Sequence, residues 1–338
     1  MHAKRTVGWT GAAVALALVL AVGGSPAAAQ TWTMKIGCDT VNDVQHEWMK
    51  RYAARVEKAS GGRIKAEIYP SGQLGGSATE TSGMQLGTIE ARVGPGAFLA
   101  GVDPRFQILD APGWFADIDH ARRTLADPKF RDVFLAIAEP KNLVGVSLFL
   151  YGPASFVSTK PIRTLTDMQG NKYRVMGSPM QANPLKALGG NPAPMPWGET
   201  LPALSQGVID GVKSALPAFT SMKFFTVAKY LTQTDDAVLV SIGMLSKPWL
   251  DKLPADLQKV LRDEGRAVEP ELFTVTQQAY ADAEKQWRDG GGEIIQLAPA
   301  EKSQMQTRLA AVAADVVKDQ PPVKEMYDLL TRTAAANK

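Results

Sequence analysis

The residues that follow the N-terminal segment alternate between two patterns of apolar positions. Every second residue is apolar over 32–38 and again over 63–69, which is typical of half-buried strands. Over 42–60 the apolar residues lie four apart, and this spacing predicts a helix. A further helix is predicted over 78–86 and a strand over 88–93. The order strand, helix, strand, helix, strand indicates a parallel α/β sheet.

The same alternation returns in the second half of the chain. Strands are predicted over 144–150, 172–176, 238–245 and 293–297, and helices over 178–189, 198–206, 255–289 and 299–333. Pro270 predicts a kink or break within its helix, and Pro321-Pro322 interrupts the last one. The chain has no repeat of 20 to 50 residues, no low-complexity tract and no flexible linker. We therefore expect two closely packed α/β domains, with the chain crossing between them.

The N-terminus has the pattern of a secretory signal peptide. Lys4 and Arg5 precede an apolar stretch over 12–22, and the small residues 27–29 supply a cleavage site after Ala29. The apolar stretch is too short for a membrane-spanning helix, and no second run approaches 18 apolar residues. We expect a mature protein that is exported and soluble in the periplasm of a Gram-negative cell.

Composition narrows the class of protein further. Of the 338 residues, 45% are hydrophobic and 21% charged, which is a globular balance with material for a core. The net charge is +3 without a block of Lys and Arg, so no nucleic-acid partner is expected. Cys38 is the single cysteine; it cannot form an internal disulfide and is expected to be a small buried hydrophobe.

Motifs for catalysis and cofactors are missing from the sequence. His46 and His120 each lack a second histidine at metal-ligand spacing, so both are expected to be structural. The glycine-rich segment 94–101 does not match a dinucleotide fingerprint, because Leu99 stands where the third glycine should be. Neither a G-x-S-x-G elbow nor a G-K-[ST] loop occurs. We expect no metal, no cofactor and no enzymatic activity.

One arginine lies within an otherwise apolar strand pattern. Arg174 occurs in K-Y-R-V-M-G-S-P-M (172–180), and no Asp or Glu lies within four residues on either side. A buried arginine needs a group that pairs with its charge. That group is either a carboxylate from a distant segment of this chain or an anion from outside.

Eight stretches together resemble the substrate-binding proteins of TRAP transporters, the DctP-like periplasmic receptors. They follow the family's order over nearly the whole mature chain: I-Y-P-S-G-Q-L-G (68–75), M-Q-L-G-T-I-E (84–90), H-A-R-R-T-L (120–125), K-Y-R-V-M-G-S-P (172–179), A-L-G-G-N-P-A-P-M-P-W-G-E (187–199), A-L-S-Q-G-V-I-D-G (203–211), S-M-K-F-F-T-V-A-K-Y-L-T (221–232) and L-P-A-D-L-Q-K-V (253–260).

The resemblance implies a two-domain periplasmic binding protein of the Venus-flytrap type. Its sheets are expected to be mixed and mostly parallel, with a ligand cleft between the domains. Residues 1–29 are then the signal peptide. Domain I is expected to comprise 30–150 plus about 238–280, and domain II about 151–237 plus about 281–338.

The resemblance also assigns a role to the arginine. In the family, the arginine matching Arg174 makes a two-pronged salt bridge with the ligand's carboxylate, a task that suits the planar guanidinium. In the family a second arginine is frequent where this chain has Ala154, and an asparagine where it has Ser214. The aromatic platform is kept as Trp197, whose alternative role is a packed core ring.

The remaining candidates point to an apolar first-domain wall. Phe98 in 94–100 and Trp114 in 111–115 are candidate ligand contacts. Apolar lining with few polar groups favours an organic monocarboxylate with an apolar or aromatic body, with or without one hydroxyl. A sugar acid or dicarboxylate receptor is the alternative.

Polar residues of the first domain could reach the far end of the ligand. Asp39 and Thr40 follow the first strand, and Gln73 lies in a loop. In the family, the segment after this strand and the matching loop both face the cleft. Asp39 could equally cap the first helix, for which Thr40 or Asn42 is also a plausible N-cap, and Gln73 could be purely structural in its turn.

The resemblance implies a transport mechanism. Hinge closure would bury the ligand, and the closed receptor, a monomer, would dock on a membrane permease driven by a sodium gradient. A sensory receptor for the same ligand is a second possibility. A periplasmic enzyme on the same scaffold would need a general base near Arg174, and the sequence supplies no clear one.

Overall fold

The computed structural model describes residues 1–4 and 30–338 of the chain. The apolar stretch and cleavage site of the predicted signal peptide lie outside the described residues. Residues 1–30 and 31–338 are separate units, and the following description concerns the second. No helix among the described residues combines the length and the apolar character that crossing a membrane would require.

The strands and helices follow the alternation of the sequence. The strands are β1 (Trp32–Gly37), β2 (Ile64–Tyr69), β3 (Ala91–Pro95), β4 (Leu143–Ser158), β5 (Lys172–Val175), β6 (Asn191–Pro194), β7 (Gly211–Ser214), β8 (Tyr230–Ser246) and β9 (Glu293–Gln296). The α-helices are α1 (Val44–Ala59), α2 (Ser77–Leu86), α3 (Ile118–Ala126), α4 (Pro128–Leu135), α5 (Pro179–Ala187), α6 (Trp197–Ser205), α7 (Leu216–Ser221), α8 (Lys247–Leu250), α9 (Ala255–Ala267), α10 (Glu269–Asp289), α11 (Pro299–Leu309), α12 (Val312–Val317) and α13 (Pro321–Ala336). Short 3₁₀ segments include Gly96–Leu99 and Pro104–Asp110.

The strands form one mixed sheet. Its order is β2-β1-β3-β8-β4-β7-β5-β6, and β9 pairs with β8. Parallel pairs join β1 to β2 and β3, β5 to β6 and β7, and β8 to β9; the pairs β3–β8, β4–β7 and β4–β8 are antiparallel. The predicted α/β fold with mixed, mostly parallel pairing is confirmed.

Two long antiparallel strands join the two groups of parallel strands. β4 and β8 extend well beyond the predicted segments 144–150 and 238–245. Their register shifts between Leu150 and Gly152 and again between Pro153 and Ser155. Glycine and proline interrupt a strand pattern, so the sequence predicted only one half of each strand.

The predicted N-cap of α1 is wrong. The side chain of Asp43 accepts the His46 backbone N–H at 3.0 Å, so Asp43 is the N-cap rather than Thr40, Asn42 or Asp39. Asn42 has a φ of 54°, which turns the chain just before the extended capping residue. The predicted break at Pro270 is confirmed, since α9 ends at Ala267 and Pro270 lies in the first turn of α10.

The apolar core of the described residues falls into separate clusters. The largest surrounds α1 and the middle of the sheet, and a second contains Phe106 and Phe134. Met326 and Leu330 of α13 belong to the second cluster. The C-terminal helix thus packs on residues of the proposed domain I, although its position in sequence places it in domain II, and the domain boundaries stay a prediction.

Candidate functional site: a buried arginine in a closed cleft

Arg174 lies on β5, which pairs with β6 on one side and β7 on the other. The residue is 1% exposed. Its Nε donates to the carbonyl oxygen of Met195 at 3.0 Å, while Nη2 is buried and has no hydrogen-bond partner. Among the described residues, no carboxylate lies within ion-pair distance of Arg174. A buried cation without a counterion is costly, so this guanidinium is a candidate site for an external anion.

Aromatic rings surround the guanidinium. Its central carbon lies 5.3 Å from the ring centroid of Trp197 and 5.7 Å from that of Phe98. Cation–π contacts of this kind compensate for part of the lost hydration. Burial nevertheless lowers the pKa of Arg174 to about 10, while the negative charge of Asp39 acts in the opposite direction.

The unpartnered Nη2 belongs to a residue that lines a small cavity of about 30 Å³. Six of the eight predicted ligand contacts line it together. The lining consists of Asp39, Thr40, Gln45, Pro95, Phe98, Tyr151, Arg174, Met176, Trp197, Ser214, Ala218 and Leu239. These residues come from β3, β4, β5, β7 and β8 and from the segments that follow β1, β3, β5, β6 and β7. Such a volume holds about one or two water molecules, so the cleft in this conformation is too narrow for an organic ligand.

The remaining two predicted contacts lie elsewhere. Gln73 is exposed in the turn before α2. Trp114 is buried in the second apolar cluster, where its indole N–H donates to the carbonyl oxygen of Leu109 at 3.3 Å and its ring packs edge-on against Phe115. Neither residue lines the cavity.

Asp39 is already held by an internal arginine. Its Oδ2 lies 3.2 Å from Nη2 of Arg92 and also accepts the hydroxyl of Ser77. Arg92 reaches Glu80 at 3.1 Å, and burial raises the pKa of Glu80 while the charge of Arg92 lowers it. Arg92 thus serves two carboxylates, and Asp39 is not a dedicated counterion for Arg174.

The two positions that differ from the family pattern have different locations. Ser214, the last residue of β7, lines the cavity and is mostly buried. Ala154 is completely buried and does not line it. The polar group available on this side of the cavity is therefore a hydroxyl.

Six lining residues were not among the predicted ligand contacts, and two of these six, Gln45 and Tyr151, carry polar groups. Gln45 accepts the hydroxyl of Thr40 at 3.2 Å and donates to Ser241 at 3.0 Å. Tyr151 donates its hydroxyl to Asp43 at 2.6 Å. Gln45 is a polar residue beside Val44 at the start of an amphipathic helix, and this position is the sequence feature that could have identified it as a lining residue. Tyr151 follows an apolar strand run, which carries no such signal.

A two-lobed α/β fold that closes over an unpaired buried cation defines a binding protein for an anion. Residues 38–320 match the family model DctP, described as bacterial extracellular solute-binding protein, family 7. The chain belongs to this family.

Relatives that are named for their ligands are similar to this chain over most of their length. The 2,3-diketo-L-gulonate-binding periplasmic protein YiaO of Escherichia coli is 30% identical over 288 residues, covering 84% of this chain and 86% of that protein. The ectoine/5-hydroxyectoine-binding periplasmic protein UehA of Ruegeria pomeroyi is 27% identical over 282 residues, covering 83% of this chain and 82% of the relative.

Solved structures agree with the fold. A TRAP periplasmic solute-binding protein from Desulfovibrio salexigens with bound orotic acid has a TM-score of 0.86 at 27% identity, covering 91% of this chain and all of that one (100%). The sugar acid binding protein of Advenella mimigardefordensis in complex with galactonate has a TM-score of 0.87 at 22% identity, covering 91% of this chain and 99% of that one. At this lower identity, the second comparison supports the fold alone.

Proposed function

We propose that this protein is a periplasmic receptor that captures an organic monocarboxylate with an apolar or aromatic body, with or without one hydroxyl, and delivers it to a TRAP membrane permease. The observation that carries the proposal is the buried guanidinium of Arg174, whose Nη2 has no partner among the described residues. A carboxylate supplies both the missing charge and the missing hydrogen-bond acceptor.

The rest of the lining supports an apolar ligand body. Phe98, Met176, Ala218 and Leu239 contribute apolar surface beside the arginine. Pockets that bind small organic ligands combine such surface with a few placed polar groups. Orotic acid, named for the relative from Desulfovibrio salexigens, is an aromatic monocarboxylate and so belongs to the proposed ligand class.

Ligand entry requires the cleft to open. A cavity of about 30 Å³ is too small for an organic acid, so the walls must separate before binding and close afterwards. Binding then shifts the equilibrium between open and closed forms by the difference in the ligand's affinity for the two. The closed form is the state that we propose the permease recognises.

A receptor for sugar acids is the second candidate. Asp39, Thr40, Gln45 and Ser214 line the same cavity and can exchange hydrogen bonds with hydroxyl groups. YiaO, whose name specifies a sugar acid derivative, is 30% identical to this chain. A ligand panel therefore needs both classes of acid.

The test is a thermal-shift and calorimetric screen of residues 30–338 against benzoate, orotate, pantoate, D-galacturonate and succinate. A ligand that binds only the native state raises the melting temperature. We expect the largest shift from an apolar or aromatic monoacid, and no shift for Arg174→Met with the same acid. Arg174→Lys should bind weakly, since an ammonium keeps the charge but lacks the two parallel N–H donors.

Arg105→Met is the matched control, because Arg105 pairs with Asp103 at 2.8 Å outside the cavity. This variant should bind acids as the wild type does. A larger shift with D-galacturonate or succinate than with any apolar monoacid would assign the ligand to the alternative class. Acid binding that survives Arg174→Met would disprove the role of Arg174.

A further inference from the structure

Two buried N–H donors beside the same cavity have no partner. One is Nη2 of Arg174 and the other is the indole Nε1 of Trp197; neither has a hydrogen-bond partner in the described part of the chain. Both residues line the small cavity. Buried donors in native proteins nearly always have a partner. Two such donors at one cavity indicate that a ligand group completes both.

The environment of Trp197 shows which part of the indole a ligand can use. The residue is 6% exposed, and its ring stacks on Phe224 with centroids 5.3 Å apart and planes at 28°. The guanidinium carbon of Arg174 lies over the ring, 5.3 Å from its centroid. With a ring packed on it and a cation above it, the indole has little free face for a stacked ligand. Its N–H edge is the group without a partner.

We propose that the ligand's carboxylate bridges the two side chains, accepting one hydrogen bond from Nη2 of Arg174 and one from Nε1 of Trp197. This inference rests on the proposed function, because it assigns a second donor at the same site. A carboxylate has two acceptor oxygens, which matches two donors on neighbouring side chains. Trp197 is then a specificity residue rather than a platform for stacking.

The chemistry of the indole makes this contact selective. An indole N–H only donates, so the group opposite it must be an acceptor. An ammonium group or the NH₂ of a carboxamide at this place would leave the donor unsatisfied. The two donors together therefore select an anion over its neutral amide, beyond the selection that the charge of Arg174 provides.

The test compares two Trp→Phe variants with calorimetry and melting temperatures. Trp197→Phe keeps an aromatic ring and removes the N–H. We expect the Kd for orotate, pantoate or D-galacturonate, whichever binds the wild type, to rise about tenfold or more, as for a hydrogen bond to a charged group. The ligand-free melting temperature should fall less than for a buried Trp→Phe change that also removes a protein hydrogen bond, because here only packing is lost.

Trp48→Phe is the matched control. Trp48 is also buried, but its indole N–H donates to the hydroxyl of Ser147 at 2.9 Å. This variant should lower the melting temperature and leave the Kd unchanged. The two variants therefore separate a donor that serves the ligand from one that serves the fold.

Nitrogen-15 NMR of the indole groups tests the contact directly. The resonance missing in Trp197→Phe identifies Trp197, and we expect this signal to move downfield in the wild type at saturation with the acid. A wild-type Kd in Trp197→Phe together with an unmoved resonance would mean that only water satisfies the indole, and would overturn the proposal. Failure of every acid to bind the wild type would overturn the proposed function itself, before any variant is compared.

Discussion

Arg92 and Arg174 are both 1% exposed, yet they have opposite surroundings. Arg92 pairs with Glu80 and Asp39, while Arg174 has no carboxylate partner among the described residues. The partners of Arg92 lie 12 and 53 residues away along the chain, so an acid close by in the sequence is not what pairs it. Burial alone therefore does not mark a binding residue; burial without a counterion does.

Asp110 is a second buried charge, and it gives a pH-dependent prediction. Its Oδ2 has no hydrogen-bond partner within the residues that the structure describes. Burial raises its pKa to about 7, against the opposing effects of Gln181 and Lys213. The folded state therefore holds a proton that the unfolded chain releases near its ordinary pKa of 3.8.

We expect this proton to make the native state less stable as pH rises. Between about pH 4 and pH 7 the folded state binds more protons at Asp110 than the unfolded state, so the free energy of unfolding falls, and it levels off above pH 7. Asp110→Asn removes this contribution. Urea unfolding at several pH values measures this difference. The free energy of unfolding of the variant should rise relative to that of the wild type from pH 4 to pH 8. Because other titrating groups are common to both proteins, a difference independent of pH would contradict the prediction.

At the scale of elements, the irregular part of the long β4–β8 strand pair depends on one glycine. Gly152 has a φ of 148°, and a Cβ at this position would clash with the ring of Tyr280. The Tyr280 hydroxyl donates to the carbonyl oxygen of Pro153 at 2.7 Å, which fixes α10 against the irregular part of β4. The ring and the strand leave no room for a side chain.

Gly152→Ala should therefore lower the free energy of unfolding by about 2–4 kcal/mol, from backbone strain and overpacking together. Gly198→Ala is the control, because Gly198 lies in α6 and a Cβ there meets no atom within 4 Å. Alanine in a helix should raise the free energy of unfolding by about 0.5–1 kcal/mol. Denaturant unfolding measures both, and equal effects of the two variants would refute the close packing at Gly152.

At the scale of the whole molecule, the closed form is held by contacts away from the ligand cavity. Met180, in the first turn of α5, is buried in the apolar cluster that contains Phe106 and Leu109. Its backbone N–H donates to the side-chain oxygen of Gln107 at 3.2 Å. In the predicted domain assignment these residues belong to different lobes, and we predict that their contact forms only on closure.

Met180→Ala should then weaken ligand binding, although Met180 does not line the ligand cavity. Losing closed-state contacts lowers the closed population, and the apparent affinity falls by the same factor. We expect the Kd of the acid that binds the wild type to rise about tenfold. Met34→Ala, a truncation within β1, should lower the melting temperature and leave the Kd nearly unchanged. Small-angle X-ray scattering should show a smaller decrease in radius on ligand addition for Met180→Ala. If Met180→Ala behaves like Met34→Ala, residues 107 and 180 belong to one lobe.

Most of the local structure was predictable because its causes are local. Apolar spacing placed β1, β2, α1 and α2 within a few residues of their observed bounds, and Pro270 marked the break between α9 and α10. The short strands β6 and β7 were missed, since β6 reads N-P-A-P and β7 begins at a glycine, and proline and glycine interrupt a strand pattern. The cap of α1 was misassigned because Asn42, Asp43 and Thr40 are all chemically suitable, and only the backbone turn at Asn42 selects Asp43.

The sequence by itself determined the alternation of strands and helices and the presence of an arginine without a nearby acid. Both depend on residues close together along the chain. The tertiary structure alone decided that Gln45 and Tyr151 line the cavity, that Trp114 does not, and that the buried indole N–H of Trp197 has no partner among the described residues. These outcomes depend on which distant segments pack together, and many packings are compatible with the same local pattern of apolar and polar residues.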